Sequence, residues 1–405
     1  MAIDNKDKKV LKSSIEREQN EVACSAECEK IKGSKNLNVP HLRFPEFSGE
    51  WEMVSLQDIA TINPKSDPLQ NTFIYIDLEA VEKGELRKIQ EIMREEAPSR
   101  AQRVIDNNDI LFQCVRPYQK NNYIHRILNT SNQQWVASTG YAQIRTTELP
   151  NYIYHLLNTD EFNRKVMVRC TGSSYPAINS EDLATIHLYY TPDKKEQLKI
   201  SRLLDLLDKH IATQNKIIEK LQSLIKGLRV CCMQRVYGNN VYLSEIAQIY
   251  QPQTISSTEL TEDGFLVYGA NGIIGKYKDY NHETEQICIT CRGNTCGMVN
   301  YTKPMSWITG NAMVINTDKY QDKVCKRYLY HYLSAYNFNS IISGSGQPQI
   351  VRTPLEKLKI TLPTISEQKQ KAIIFDKIQD KIDINHKVLN LYIGQKQYLL
   401  RQMFI

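Results

Sequence analysis

The stretch that decides the fold runs from Glu196 to Met233 and reads EQLKISRLLDLLDKHIATQNKIIEKLQSLIKGLRVCCM. Apolar residues recur along it in alternating steps of four and three, which is the spacing of a coiled-coil contact line over more than four heptads. This line consists of Ile200, Leu204, Leu207, Ile211, Gln214, Ile218, Leu221, Ile225, Leu228 and Cys232. The pattern predicts one helix, about 55 Å long at 1.5 Å per residue, that packs against another helix.

A second stretch near the end of the chain repeats this spacing less regularly. Its contact line consists of Phe375, Ile378, Ile382, Asn385, Leu389, Tyr392, Lys396, Leu399 and Met403. Gln214 and Asn385 are polar residues at equivalent points of the two lines. If the helices pair antiparallel, the two amides lie within about one turn of each other and fix the register. The alternative is that each amide faces solvent at a loose point of its helix.

The rest of the chain is also duplicated. Val54-Ser-Leu-Gln-Asp-Ile-Ala-Thr-Ile has the same pattern as Val241-Tyr-Leu-Ser-Glu-Ile-Ala-Gln-Ile. Gly172-Ser-Ser-Tyr-Pro-Ala-Ile matches Gly344-Ser-Gly-Gln-Pro-Gln-Ile, and each motif leads to a Glu-Gln pair that opens a long helix, Glu196-Gln197 and Glu367-Gln368. Such matches in the same order indicate an internal repeat.

We therefore predict an α+β protein in which two mixed α/β segments are separated by two long helices that form an antiparallel coiled coil, related by a pseudo-twofold repeat. The predicted divisions are a charged extension, mobile or loosely helical, at 1–40, a first globular segment at 41–192, a helical spacer at 193–237, a second globular segment at 238–363 and a C-terminal spacer at 364–405. Strands are expected at Thr72–Ile76, Ile110–Val115, Ile287–Thr290 and Ala312–Asn316, and helical stretches at Asn151–Arg169 and Lys326–Ile342.

The charge pattern follows these divisions. The 405 residues carry 51 Lys+Arg and 45 Asp+Glu, a net +6. Residues 193–237 hold +5 and 364–405 hold +3, whereas 41–192 hold −4 and 238–363 hold +1. The helix cations, among them Lys194, Lys199 and Lys209, are either the solvated side of a coiled coil or a surface for phosphates or acidic partners.

Neither a membrane span nor an export signal is evident. No run approaches the roughly 18 apolar residues that a spanning helix needs, and the N-terminus lacks an apolar signal core. Ten cysteines are scattered along the chain. We therefore expect a cytoplasmic protein with reduced thiols and no membrane association.

The motifs of common catalytic sites are absent from the sequence. Gly269-Ala-Asn-Gly-Ile-Ile-Gly-Lys-Tyr277 resembles a phosphate-binding loop, but its first glycine is one residue too far away and Tyr277 replaces the Ser/Thr that binds magnesium. No base-amino methyltransferase motif is present. Cys288, Cys291 and Cys296 lack the second ligand pair that structural zinc requires. These observations predict no catalytic or metal site in this chain.

The ordered motifs resemble those of the specificity (S) subunit of Type I restriction–modification systems. Leu42-Arg-Phe-Pro-Glu-Phe-Ser-Gly-Glu-Trp51 resembles the lead-in to a first target recognition domain. Ile110-Leu-Phe-Gln-Cys-Val-Arg-Pro-Tyr118, Tyr268-Gly-Ala-Asn-Gly-Ile-Ile-Gly275 and Cys291-Arg-Gly-Asn-Thr295 resemble motifs that recur in the two domains. Asn294 departs from the family's pattern, in which a Lys or Gly is expected at that point.

The resemblance implies a role in defence against foreign DNA. Each globular segment would be a target recognition domain that binds one half of a split double-stranded DNA target. The helices would hold the domains apart and dock two methyltransferase (M) subunits, which bind S-adenosylmethionine, and motor-nuclease (R) subunits would join them, using ATP and Mg. This chain itself would bind no cofactor and catalyse nothing. A spacer of this length also predicts an unread gap of several base pairs in the target.

Base recognition requires Arg or Lys for guanine and Asn or Gln for adenine. In the first segment the candidate DNA-contacting residues are Arg116, Tyr118, Lys120, Asn121, Asn122, Arg126, Ser173, Ser174 and Tyr175. In the second they are Tyr268, Asn271, Lys276, Tyr277, Arg292, Asn294, Thr295, Gln347 and Gln349. For each one, the alternative is an ordinary solvated loop residue.

Two other functions are compatible with the sequence. A stand-alone duplicated DNA-binding protein or regulator would bind its target tightly without partners. A scaffold unrelated to DNA would display strand-rich modules on a coiled coil.

Overall fold

The computed structural model describes residues 38–126, 133–234, 236–270, 272–344 and 346–405. The predicted extension at 1–40 therefore falls almost entirely outside the described residues. The chain forms two compact units: unit 1 runs up to Asp208 and includes Gly394–Ile405, and unit 2 comprises Lys209–Ile393. Within the described residues, no helix is long and apolar enough to span a bilayer.

Unit 1 is built from short strands followed by helices. Its strands are β1 (Glu52–Ser55), β2 (Ala60–Ile62), β3 (Thr72–Ile76), β4 (Val81–Glu82), β5 (Glu85–Leu86), β6 (Gln90–Met93), β7 (Ala101–Ile105), β8 (Ile110–Gln113), β9 (Tyr123–Ile124), β10 (Gln134–Ser138), β11 (Tyr141–Thr146) and β12 (His187–Tyr190). Its helices are α1 (Leu56–Ile59), α2 (Pro150–Leu157), α3 (Asp160–Arg169), α4 (Ser180–Ala184) and the start of α5 (Lys194–Gln234), with 3₁₀ turns at Arg94–Glu96 and Pro117–Gln119.

The strands of unit 1 form two four-stranded sheets, in the orders β6-β3-β10-β7 and β2-β11-β8-β9, and the two-stranded pairs β1-β12 and β4-β5. Only the β3–β10 pair is parallel among these described pairs. All four residues of β8, three apolar residues and Gln113, are buried, as expected for a strand that is covered on both faces. The Phe404 ring, just beyond the long helix at 365–402, packs against Trp51 and Tyr152 at centroid distances of 6.0 and 5.5 Å and so contributes to the core of unit 1.

Unit 2 has the same kind of construction. Its strands are β13 (Asn239–Tyr242), β14 (Gln248–Tyr250), β15 (Phe265–Gly269), β16 (Gly272–Tyr277), β17 (Ile287–Thr290), β18 (Val299–Tyr301), β19 (Trp307–Ile308), β20 (Ala312–Asn316) and β21 (Lys359–Leu362). Its helices are the rest of α5, α6 (Lys326–Ala335), α7 (Arg352–Glu356) and most of α8 (Ile365–Gln402), with 3₁₀ turns at Leu243–Glu245, Ser257–Glu259, Asp318–Tyr320 and Phe338–Ser340.

Strand pairing confirms the internal repeat. The pair β1–β12, with Val54 opposite Leu188, corresponds to β13–β21, with Val241 opposite Ile360. The sheet β2-β11-β8-β9 corresponds to β14-β20-β17-β18. The two matching sequence motifs therefore begin the same fold twice.

The long helices α5 and α8 contain 41 and 38 residues. In unit 2 they pair antiparallel, because residue numbers rise along α5 as they fall along its partners in α8. Ile225 shares a buried cluster with Phe375, and the Gln214 amide donates to the Asn385 side-chain oxygen. The predicted antiparallel coiled coil and the predicted meeting of the two amides are confirmed.

The predicted contact-line residues are buried to different degrees. Leu204, Leu207, Ile218, Ile225, Phe375 and Ile382 are buried. Leu221 and Ile378 pack against the buried cluster, and Ile211 and Leu389 are half-buried. The apolar cluster that the two helices share thus lies on one side of the amide pair.

The amide pair gives a first test of what sets the helix register. Replacing Gln214 with Leu leaves the Asn385 oxygen without this donor, and we expect a loss of about 1 kcal/mol in the free energy of unfolding. Replacing both residues with Leu removes the unmatched group, so the double variant should recover that loss. Urea denaturation measures both values; equal stabilities of the single and double variants would contradict the assigned role.

Candidate nucleic-acid interface

In unit 1 a turn after a buried strand meets a loop from much later in the chain. Val115 forms an isolated bridge with Ala177. The Arg116 N–H donates to the Pro176 carbonyl at 2.8 Å, and the Ile178 N–H donates to the Cys114 carbonyl at 3.1 Å. We call this turn and the loop at 171–177 junction 1.

Unit 2 builds the same junction from different side chains. Arg292 bridges Gln349, the Gly293 N–H donates to the Pro348 carbonyl at 3.0 Å, and the Ile350 N–H donates to the Cys291 carbonyl at 3.0 Å. We call this turn and the loop at 343–349 junction 2. The bonding pattern makes Arg292 the counterpart of Val115, and Gly293 the counterpart of Arg116.

Each junction loop turns at a glycine in the left-handed region. Gly172 has φ +90° and Gly344 has φ +94°. A Cβ on Gly172 would lie 3.0 Å from the Tyr175 carbonyl oxygen, and one on Gly344 would lie 2.4 Å from the Gln347 carbonyl oxygen. The two glycines therefore allow a tight loop whose following side chains reach the surface.

Junction 1 exposes part of the predicted set. Ser173, Ser174 and Tyr175 are exposed, and so is Tyr118. The Arg116 guanidinium lies over the Tyr175 ring, 4.3 Å from its centroid. The structure thus brings together residues about 60 positions apart that were predicted separately.

The remaining predicted residues of the first segment are held by the protein itself. Lys120 pairs with Asp160 at 2.7 Å, and Arg126 lies 3.5 Å from Asp205. The Asn121 side-chain oxygen accepts from the Lys83 N–H. Asn122 is only 2% exposed and bonds to Gln113. Burial leaves Asn122 unable to reach a base, which corrects its prediction as a contact; the other three have protein partners that DNA would have to replace.

Junction 2 exposes a more polar set. Arg292, Asn294, Gln347 and Gln349 all have exposed side chains. The Thr295 hydroxyl donates to the Ala270 carbonyl at 2.9 Å, and this bond connects the turn between β15 and β16 to junction 2. Asn271, predicted in that loop, lies outside the described residues.

Three further predicted residues belong to the β15–β16 hairpin. Tyr268 is 5% exposed, its hydroxyl accepts from the Lys303 N–H, and burial raises its pKa; this corrects its prediction as a DNA contact. Lys276 and Tyr277 pair with Leu266 and Phe265, at the hairpin end remote from the Gly269–Gly272 turn. We do not include these three residues in the interface.

Two apolar residues near that turn were missed. Ile273 and Ile274 are 54% and 41% exposed. The candidate residues were chosen for side chains that can hydrogen-bond to bases, which excludes isoleucine. Exposed apolar groups can nevertheless contact a thymine methyl group. Only the turn glycines around them hinted at exposure.

A buried histidine–aspartate pair links each unit's helix to a long helix. His155 of α2 lies 2.9 Å from Asp205 of α5, and His331 of α6 lies 2.7 Å from Asp376 of α8. Both imidazoles have no solvent exposure. The recurring Tyr-His pair, Tyr154-His155 and Tyr330-His331, was the sequence signal for this feature and was overlooked.

In unit 2, hydrogen bonds determine the charge of the His331–Asp376 pair. Arg229 donates to Nδ1 of His331, so the ring proton sits on Nε2 and points to Asp376. Burial lowers the pKa of His331. Burial opposes ionisation of Asp376, but bonds from His331 and Arg327 outweigh it and lower the pKa of that carboxyl. The pair is therefore a neutral imidazole bound to a carboxylate.

This arrangement predicts a loss of stability in mild acid. A histidine whose folded pKa is lowered stabilises the fold fully above its unfolded pKa of about 6.5, and that stability falls as pH drops below this value. Each such group contributes at most about 1.4 kcal/mol per pH unit. We expect the melting temperature to fall between pH 6.5 and 5, and less steeply in His331→Gln than in the parent. The exposed His386, replaced by Gln, is the matched control; equal slopes in parent and His331→Gln would contradict the assignment.

The basic start of α5 is partly neutralised. Lys194 pairs with Glu148. Lys199 pairs with Glu46 and also lies over the Phe44 ring. These contacts favour the interpretation of these lysines as part of the fold of unit 1.

The cysteine motif is packed in the core. Cys288 and Cys291 are buried, and burial raises the pKa of Cys288 to about 12. Among the described residues no group of three or more His, Cys, Asp or Glu could hold a metal ion.

A duplicated α/β fold with one exposed polar junction in each copy, together with paired long helices, defines a two-module protein. The chain belongs to the family described as the Type I restriction modification DNA specificity domain, whose model matches residues 48–223 and 239–391.

Individual relatives match shorter stretches. The EcoprrI specificity subunit of a Type I restriction enzyme from Escherichia coli is 31% identical over 147 residues, 35% of this chain and 36% of the relative. A putative type I specificity subunit from Haemophilus influenzae is 27% identical over 140 residues, 33% of this chain and 35% of the relative. The chain therefore matches about a third of the length of these curated relatives.

Solved structures share the fold over nearly the whole chain. The S subunit of a Type I system from M. genitalium has a TM-score of 0.64 and 15% identity, covering 91% of this chain and 99% of that one. A chain from a study of assembly and conformational transition of a type I R-M system has a TM-score of 0.54 and 20% identity, covering 89% and 98%.

Proposed function

We propose that this chain is the DNA specificity subunit of a Type I restriction–modification complex and recognises a bipartite, gapped target. The observation that carries the proposal is that one polar junction is built twice, in two copies of one fold within a chain of this family. Each copy would read one half-site, and the complex would act only where both are present.

The side chains of the junctions suit base recognition. Arg116 and Arg292 can donate two hydrogen bonds to guanine, and Gln347 and Gln349 can pair with adenine through their amides. The two sets differ, so the two half-sites should differ in sequence. A helix of 41 residues, about 60 Å long, is long enough to connect readers of half-sites separated by an unread gap.

The long helices supply a surface for partner subunits. Ile217 and Leu224 of α5 are exposed, as are Ile373, Ile384 and Leu391 of α8. Steps of seven and eleven place these residues of each helix along one side. Exposed apolar rows of this kind mark protein contacts. We assign them to the docking of two methyltransferase subunits.

The chemistry would then belong to other chains. The methyltransferase subunits would bind S-adenosylmethionine and methylate adenine N6, and motor-nuclease subunits would cleave unmethylated DNA with ATP and Mg. This chain would be a non-catalytic cytoplasmic subunit that determines which DNA sequence the complex binds and binds no cofactor itself.

Co-purification separates this proposal from its rivals. The chain, expressed with a cognate methyltransferase, should retain duplex DNA at low salt as a complex and bind it weakly alone. Tight sequence-specific binding by the chain alone would favour a stand-alone regulator. A complex that fails to retain any duplex at low salt would favour a scaffold and refute DNA recognition.

A further inference from the structure

At the same point of the repeated turn, junction 1 has an arginine and junction 2 has a glycine, and both residues adopt a left-handed backbone conformation. Arg116 has φ +55° and ψ +54°, and Gly293 has φ +83°. The left-handed region costs free energy for a residue with a Cβ and almost none for glycine. Unit 2 shows that glycine can complete this turn, yet unit 1 has an arginine there. A non-glycine residue with a positive φ suggests that its side chain has a function.

The side chain itself is oriented but not neutralised. Its guanidinium stacks on Tyr175, 4.3 Å from the ring centroid, and Tyr175 is 62% exposed. Among the described residues no carboxylate lies within ion-pair distance of Arg116, unlike Lys120 and Arg126 in the same stretch. Stacking fixes the plane of the guanidinium while leaving its N–H groups available.

We propose that Arg116 reads a guanine in the first half-site, with Tyr175 as its positioning residue. Two parallel N–H groups of the guanidinium would donate to guanine O6 and N7 in the major groove. The inference rests on the proposed function and names a specificity-determining contact within it. The same point of junction 2 has no side chain, so this contact belongs to one half-site only.

The alternative role for a free cation is a phosphate contact. A phosphate contact needs charge but little orientation, and its loss weakens binding uniformly across sequences. A base contact needs a fixed plane, and its loss relaxes specificity at one position. The ring stack over Tyr175 favours base reading.

Mapping methylated adenines in cells that express the complex tests the inference. Arg116→Gly reproduces the glycine of junction 2, so the melting temperature of the complex should be unchanged or higher. We expect one guanine of the parent motif to become degenerate, with roughly a 10- to 100-fold loss of preference at that position. Arg116→Lys should keep part of the preference for guanine. Tyr175→Phe should keep most of it, and Tyr175→Ala should keep less of it than Tyr175→Phe. Lys88→Gln removes an exposed charge in the same unit and should leave the motif intact.

Three results would overturn the inference. Methylation that declines equally at all sequences would make Arg116 a phosphate contact, an unchanged motif would make it a bystander, and a lowered melting temperature with general loss of methylation would make it structural. Absence of a gapped motif in the parent complex would instead remove the proposed function. A gapped parent motif that Arg116→Gly leaves unchanged would overturn this inference alone.

Discussion

Lengthening both long helices by one turn should move the two halves of the DNA target apart. Duplicating residues 218–221 of α5 and 379–382 of α8 adds four residues at facing points of the pair. The added rise is about 6 Å at 1.5 Å per residue, equal to roughly one to two base pairs. The mapped motif of the variant complex should therefore keep both half-sites and gain one or two unread base pairs.

A single insertion is the control for this experiment. Duplicating residues 218–221 alone shifts the apolar contacts around Ile225 relative to Phe375 of α8. We expect that variant to melt at a lower temperature and to methylate poorly. If the matched double insertion methylates well with an unchanged gap, the helices do not set the spacing.

Removing the polar surface of junction 2 should erase one half-site and leave the other. The triple variant Arg292→Ala, Asn294→Ala and Gln347→Ala deletes exposed side chains, so its folding should be little affected. At about 1–3 kcal/mol for each good base contact, their joint loss amounts to at least a ~100-fold loss of discrimination. Mapped methylation should show a degenerate second half-site beside an intact first one.

The matched control replaces exposed residues of unit 2 outside the junction, Lys319→Ala with Gln321→Ala. It should keep the full motif. Degeneration of both half-sites in the triple variant would contradict independent reading by the two units.

Features that depend on local pattern could be predicted from the sequence. The strands Thr72–Ile76, Ile287–Thr290 and Ala312–Asn316 occur with the expected bounds, because short β-branched runs between turn residues encode them directly. The amide pair Gln214–Asn385 followed from the heptad spacing together with the expected antiparallel pairing. The meeting of the two loops in junctions 1 and 2 was not predicted, although the residues of each loop were candidates.

Some helix boundaries, and the features that depend on distant partners, were not predicted. The helical stretch expected at Asn151–Arg169 is two helices, because Thr159 caps α3 by accepting from the Phe162 N–H. The stretch expected at Lys326–Ile342 ends as an α-helix at Ala335 and continues as a 3₁₀ turn. The partner of Lys120 is 40 residues away at Asp160, and burial of Asn122 and Tyr268 depends on sheets assembled from the whole unit. The basic, amide-rich stretch at 116–126 therefore has fewer side chains free to contact DNA than its composition suggested.

Two copies of one fold would give this chain bipartite recognition of a DNA target. The most direct test of this recognition is to express the chain with a cognate methyltransferase and map every methylated adenine in the host genome. We expect one motif of two different half-sites separated by a fixed gap of several base pairs. Methylation at an ungapped or palindromic motif, or no motif at all, would contradict it.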